Sequence, residues 1–268
     1  MADRTPPPAM VGVLRRSALD VTVPVPTDIK PRYMTWSIIA RDPVTGALGG
    51  AVASRFFAVG AICVHVEGRV ATLSTQAMVN PMYAVHAMPR LRNGEAADTV
   101  LASLVAPDAG AAHRQFHIVD AAGRIAQHTG ASCIAWADHV GGQDVSVAGN
   151  MLSGPQVVQR TLEAYQAAAG SLAERLLTVL EAGEAAGGDK RGKQSAALKI
   201  CVRDPYPDLD IRADDHPDPL AELRRLCRVS LERYAVFRRF LPGTDSPCGV
   251  FDRAVIDAAI ACESVPPA

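Results

Sequence analysis

The chain has 268 residues, of which 49% are hydrophobic, 21% charged and 5% aromatic, with a formal net charge of -1. That length suits one domain with a large core, and the even charge balance gives no general attraction for nucleic acid or anionic membranes. The few aromatics offer no stacking platform for single strands, and no apolar run approaches the roughly 20 residues of a membrane span.

Residues 1–33 hold Pro6, Pro7, Pro8, Pro24, Pro26 and Pro31 with little periodicity, which reads as a flexible or loosely packed arm. Arg15 and Arg16 are followed by Ala18-Leu19-Asp20-Val21-Thr22, which is no hydrophobic export signal. From Thr35 the pattern changes. Thr35 to Asp42 (TWSIIARD) and Ala47 to Ser54 (ALGGAVAS) have strand composition, and Pro43-Val44-Thr45-Gly46 between them is a turn. Together they predict a hairpin. If Asp42 pairs with Ala47, the antiparallel register sets Thr35 opposite Ser54.

Strands are predicted next over Ala61 to Val66 and Arg69 to Gln76, ended by Asn80-Pro81. Helical patterns follow over Met82 to Asn93 and Ala96 to Val105, the first stopped by Asn93-Gly94. Strands return at Gln115 to Asp120, Arg124 to Thr129 and Val145 to Gly149. Gly154-Pro155 opens a helix to about Ala169, and Ser171 with Glu174 forms a capping-box signature for a second helix to about Ala186. Gln194 to Val202 and Leu209 to Ala213 read as strands. Leu220 to Phe240 reads as one long amphipathic helix with a solvated basic face, and Phe251 to Ala261 as a weak helix. Hairpins with helices gathered in pairs predict an α+β layered fold, since the strand–helix alternation of a parallel sheet is missing. The predicted organisation is an arm (1–33), a main domain (34–240) and a C-terminal extension with one short helix (241–268).

Six cysteines occur, none in a C-x-x-C pair. In a long chain that is not cysteine-dense, buried free thiols in a reducing cytoplasm are the better reading. Of the seven histidines, His113 and His117 are spaced i, i+4, but the second falls in a predicted strand. Solvated or core-edge histidines, and no metal site, are expected. The chain contains no G-x-S-x-G, H-E-x-x-H or Walker loop.

Four stretches place polar residues at strand ends beside small residues, where rigid folds carry sites. They are Met34-Thr35, Ser54-Arg55, Gly149-Asn150 and the run from Gly188 to Ser195. The segments MTWSIIARDPVTGALGGAVASRFFAVG, STQAMVNPMY, HTGASCIAW, AGNMLSGPQVV, LLTVLEAGEAAGGDKRGKQSAAL and RADDHPDPLAELRRL resemble the bacterial family called "domain of unknown function 1028". That group is similar to the N-terminal-nucleophile (Ntn) hydrolases. The resemblance implies a four-layer αββα sandwich of two antiparallel sheets. It also implies that the residue after the initiating Met, here Thr35, is the candidate nucleophile. A threonine hydroxyl needs a base, and a free α-amine on the same residue, with a pKa near 7.7–8.0, can serve.

Thirty-three residues precede Met34, so Thr35 as numbered has no free amine. Three explanations stand: a true start at Met34 with that Met removed, a propeptide cleaved at Met34-Thr35, or a retained arm without Ntn catalysis. From the register, Ser54 can hydrogen-bond Thr35, though a strand-end serine is as good a reading. Arg55 can bind a substrate carboxylate or form a surface salt bridge. Gln76 and Asn80 can donate to an oxyanion, Asn80 being also a turn former before Pro81. Asn150 can donate likewise or cap the following helix. Asp189 and Arg191 resemble residues that grip amino-acid-like substrates in Ntn amidases; loop salt bridging is the plainer account.

The expected function is an amidohydrolase that cleaves a small amide or peptide-like C–N bond through an acyl-enzyme on Thr35, without metal or organic cofactor. The alternative is a non-catalytic Ntn-fold protein that binds a small ligand or a protein partner. Fold-level analogy adds a homodimer or higher homo-oligomer. Neither nucleic acid nor membrane is an expected partner.

Overall fold

Asp42 sets the first hairpin. Its Oδ1 accepts from Val44 N at 2.9 Å and Thr45 N at 2.8 Å, and its own N–H donates to Ala47 O at 2.8 Å. The side chain thus folds the turn back on itself, and β1 (Thr35–Arg41) pairs with β2 (Leu48–Ser54) in the register that puts Thr35 opposite Ser54. A computed structural model describes residues 35–188 and 192–264; the proposed arm, Met34, Asp189 and Arg191 lie outside the described residues. The chain divides into two units, Met1–Pro31 and Arg32–Ala268, and the second holds every described residue.

The remaining strands are β3 (Val64–Glu67), β4 (Ala71–Ala77), β5 (Arg114–Asp120), β6 (Ile125–Thr129), β7 (Asp138–Gly142), β8 (Val145–Asn150), β9 (Ser195–Cys201) and β10 (Leu209–Ala213). They form two antiparallel sheets, a six-stranded one ordered β10-β9-β2-β1-β8-β7 and a four-stranded one ordered β3-β4-β5-β6. Helices α1 (Met82–Arg92) and α2 (Ala97–Val105) bury Tyr83, Ala87, Leu91 and Val100 on Leu73, Phe116 and Ile118 of the smaller sheet. Helices α3 (Gln156–Ala167), α4 (Leu172–Ala185) and α5 (Pro219–Glu232) cover the larger one, on Trp36, Ile38, Ala51 and Leu198. The sheets face each other between these helical layers, which makes the four-layer αββα sandwich. The expected capping box of α4 is present: Ser171 accepts from Glu174 N while Glu174 accepts from Ser171 N.

Alternation divides the residues of each strand. In β1, Trp36, Ile38 and Ala40 belong to the core under the helices, so Thr35, Ser37 and Ile39 face the other sheet. Opposite β3 the sheets meet through an apolar cluster that includes Leu48, Val52, Val64, Val66 and Ala197. Gly50 lets them come close, since a Cβ there would lie 2.7 Å from Val64 Cγ1 and 3.2 Å from Ile39 Cγ2.

Three expectations change. The strand expected from Ala61 starts only at Val64, after a short 3-10 turn over Val59–Ala61. β7 was not anticipated, because Asp-His-Val-Gly-Gly has poor strand propensity and forms an edge. The long basic helix breaks at Arg233, where φ is -144°, into α5 and a short α6 (Tyr234–Phe237). Four of its arginines are paired and not merely solvated. Arg224 meets Glu181 and Arg225 meets Glu222, both at 2.7 Å, while Arg238 meets Asp208 and Arg239 meets Glu263. The weak C-terminal helix is α7 (Arg253–Glu263). Among the described residues, no helix is long and apolar enough to cross a membrane.

Gly50→Val should force the sheets apart and cost about 1–3 kcal/mol. The measurement is the urea midpoint, expected to fall with an unchanged slope.

Candidate active site

The strand ends line up in one row. Ser195 of β9 lies opposite Ser54 of β2, Ser54 opposite Thr35 of β1, and Thr35 opposite Asn150 of β8. Thr35 is 6% exposed, and Ser54, Asn150 and Ser195 are buried. Thr35 Oγ1 lies 3.1 Å from Ser54 Oγ. The Thr35 carbonyl accepts long bonds, each 3.4 Å, from Gln76 Nε2 of β4 and Asn150 Nδ2. The same two amides donate at 2.9 Å to Gln115 Oε1 of β5. Gln115 Nε2 in turn donates to Gly149 O at 2.7 Å and reaches Asp138 O and Thr129 Oγ1 at 3.1 Å. Gln115 therefore pins the smaller sheet to the end of β8 just where Thr35 sits.

A second buried chain runs deeper between the sheets. Ser37 Oγ donates to Gln76 Oε1 at 2.7 Å, so its single proton is committed. The 3.0 Å contact between Ser37 Oγ and His117 Nε2 must then have the imidazole as donor. His117 Nδ1 is left as acceptor from Ser146 Oγ at 2.7 Å, and Ser146 Oγ accepts from Gln127 Nε2 at 2.8 Å. One neutral tautomer satisfies every partner. Burial, helped by His139, lowers the His117 pKa to about 3 and keeps the ring neutral.

A cavity of about 190 Å³ opens beside Thr35. Its lining includes Phe56, Val59, Ile62, Cys63, Gln76 and Arg114. Ser195 fixes the segment from Phe56 to Val59, accepting from Val59 N at 3.1 Å and donating to Phe56 O at 2.5 Å. Burial pushes the Cys63 thiol up to about 12, which leaves it a poor nucleophile, since a thiol attacks as thiolate. Three non-glycine residues flanking the site have left-handed backbone: Ala58 (φ 51°), Ala77 (φ 64°) and Met151 (φ 54°). Such conformations persist only where surrounding packing holds them, and they gather at functional sites.

Of the residues expected from sequence, Thr35, Ser54, Gln76 and Asn150 come together. Asn150 does not cap a helix, since α3 starts at Gln156 with Pro155 before it. Asn80 is directed elsewhere: its Nδ2 donates to Asp108 at 3.3 Å and its Oδ1 accepts from Met82 N at 3.2 Å. Arg55 is exposed in the segment just after Ser54. Asp189 and Arg191 lie outside the described residues. From the same stretch, Lys193 Nζ pairs with Glu184 at 3.0 Å and Asp218 at 3.5 Å. Both ring nitrogens of His117 meet serines, Ser37 and Ser146; among the described residues no group of three or more His, Cys, Asp or Glu is placed to hold a metal ion. Sequence reasoning missed Ser37, Arg114 and Gln115; it raised His117 only as a metal ligand and Ser195 only as the end of the run from Gly188. The signal for several of them is alternation: Thr72, Ser74 and Gln76 interleave with Ala71 and Leu73, and Gln115 and His117 with Phe116 and Ile118. In strands buried on both faces, that pattern marks a polar layer between sheets.

A family model described as "Family of unknown function (DUF1028)" matches residues 35–223. The chain belongs to this family. The DUF1028 match starts at Thr35, the first residue of β1. Among solved structures, this DUF1028 chain is similar to the protein SPO2555 from Silicibacter pomeroyi, also assigned to DUF1028. The two are 30% identical, with a TM-score of 0.77 over 82% of this chain and 96% of that one. A fainter likeness is to Anbu (ancestral beta-subunit) from Yersinia bercovieri, 10% identical, with a TM-score of 0.34 over 78% of this chain and 98% of that one. No curated protein matches significantly.

The neutral His117 makes stability pH-dependent. Unfolded, its pKa is 6.5; folded, it is about 3. Between these values the unfolded chain binds a proton that the fold refuses, so stability falls as pH drops through that window, by about 1.4 kcal/mol per pH unit. His65 and His139, both lowered by burial, add slope of the same sign. Urea midpoints measured across that window should show a flatter profile for His117→Gln than for wild type. Parallel profiles would contradict the buried neutral assignment.

Proposed function

We propose that Thr35, once its α-amine is free, is the nucleophile of an amidohydrolase acting on a small amide or peptide-like C–N bond. The observation that carries this reading is Thr35 Oγ1, 3.1 Å from Ser54 Oγ, at the edge of a cavity of about 190 Å³. The α-amine takes the Oγ1 proton as Oγ1 attacks the carbonyl carbon, forming a tetrahedral oxyanion. The amine then returns the proton to the leaving nitrogen as the C–N bond breaks, leaving an ester on Thr35. Water, deprotonated by the same amine, hydrolyses that ester and restores the hydroxyl.

Ser54 orients Oγ1 and is the nearest hydroxyl donor to the developing charge. Gln76 and Asn150 act differently from the sequence expectation. Their amides are held by Gln115 and the Thr35 carbonyl, so they are positioning residues that fix the nucleophile's backbone. Asn80 acts one step further out, on Asp108. Arg55, Asp189 and Arg191 are the candidates for contacts to the leaving half of the substrate. No metal or organic cofactor is needed for these steps. All six cysteines are free, in keeping with the reducing cytoplasm proposed as the protein's location, although Cys248 and Cys262 are exposed and not buried. Assembly into a homodimer or larger homo-oligomer belongs to this reading by fold analogy alone.

The second reading is a binding protein. With residues 1–34 attached, the Thr35 nitrogen is an amide that cannot act as base, and the cavity would then hold a ligand without cleaving it.

Intact mass and N-terminal sequencing of protein made from its native gene separate the two. Catalysis requires a chain that begins at Thr35. In that chain, Thr35→Ala should lower kcat/KM on any small amide turned over by about a thousandfold or more. A chain that keeps residues 1–34 in full, or turnover untouched by the substitution, rejects the nucleophile.

A further inference from the structure

Arg114 enters the cavity from the start of β5, and among the described residues it is the only charged group lining it. Its guanidinium is fixed on two sides. Nε donates to Asp108 Oδ2 at 2.7 Å, and Nη1 donates to the carbonyls of Met78 and, at 3.3 Å, Val79. Asp108 is itself held by Tyr83 Oη at 2.5 Å, Asn80 Nδ2 at 3.3 Å and Gly110 N at 2.7 Å. The Tyr83 hydroxyl above all lowers the Asp108 pKa to about 2, so the carboxylate stays ionised. Gly110 makes room for the group, since a Cβ there would lie 2.6 Å from Arg114 Nη2. Of the three nitrogens of the Arg114 guanidinium, Nη2 alone makes no hydrogen bond among the described residues.

The same lining has an apolar part: Phe56, Val59 and Ile62. A ligand that suits both has a small hydrocarbon body and one strong acceptor. We propose that Arg114 is a specificity-determining residue that receives the carboxylate of the ligand, so that the cavity takes small carboxylate-bearing amides in preference to neutral ones. This rests on the reading of the cavity as the substrate site. The guanidinium is rigid before the ligand arrives, so little side-chain entropy is lost on binding. Asp108 offsets part of its charge, so the preference comes from a charge-assisted hydrogen bond and not from a bare cation.

The test uses binding, not turnover, and so stands apart from the fate of Thr35. N-acetyl-L-leucine and N-acetyl-L-leucine amide differ only in carboxylate against amide. Calorimetric titration of each is made into the chain in the form the cell produces, and into its Arg114→Met and Arg114→Lys variants. The acid should bind wild type about tenfold more tightly than the amide. Arg114→Met should abolish that preference, the acid losing more affinity than the amide; Arg114→Lys, which keeps the charge but loses the fork, should retain only part of it. Equal binding of acid and amide to wild type, binding of neither, or a preference that survives in Arg114→Met overturns the proposal. Because Arg114 also holds the Met78 and Val79 carbonyls, the Met variant is checked by its thermal midpoint; if it does not fold, the wild-type pair of titrations still decides.

Discussion

A single buried amide couples the two sheets. Gln115 accepts from Gln76 and Asn150 and donates toward Gly149, Thr129 and Asp138. Burying an amide without partners costs several times what one good hydrogen bond returns, so such a group is tolerable only when nearly all its bonds are made. Meeting that demand fixes the distance and the slide between the sheets at one end of the sandwich. Thr35 sits inside the resulting cage, its carbonyl touched by two of the three amides.

The space between the sheets has two characters. Over β2, β3 and β9 it is hydrocarbon, with Leu48, Val52, Val64 and Val66 in contact. Over β1, β4, β5 and β8 it is a hydrogen-bonded layer of Ser37, Gln76, Gln115, His117 and Ser146. The apolar half holds the sheets together without regard to direction. The polar half specifies which atoms meet, because each donor there has few acceptors to choose from. Thr35 and its cavity lie where the two halves join, with the hydrogen-bonded layer on one side and apolar side chains on the other.

Much of the frame was legible in the sequence because it is local. The hairpin turn was readable from Asp42 to Ala47, and its register carried Thr35 to Ser54. The capping box at Ser171 and Glu174 and the punctuation at Asn93-Gly94 were equally local. The strand pattern also gave the antiparallel layers, and β10 appears with the expected limits, Leu209–Ala213. What stayed hidden is what requires two distant strands to be brought together. Gln115 has nothing in its own neighbourhood to show that it meets Asn150, 35 residues on. Asn80 looked like an oxyanion donor by its position after a strand, yet the nearby Asp108 carboxylate competes for its amide. Arg114 reads as a strand-start arginine until Met78, Val79 and Asp108 are seen around it. The break at Arg233 had no sequence mark, since no Gly or Pro stands there.

The partners of Thr35 are strung far along the chain. Ser54 lies 19 residues away, Gln76 lies 41 away, and Asn150 lies 115 away. Long loops must close before such contacts are rewarded, so they form late in folding. While the protein is being synthesised, β1 can pair with β2 at once, but its other neighbour, β8, does not yet exist. A nascent chain thus carries its threonine without the amides that orient it. The hydrogen-bonded surroundings of Thr35 come into being only when the later half of the domain has emerged and docked.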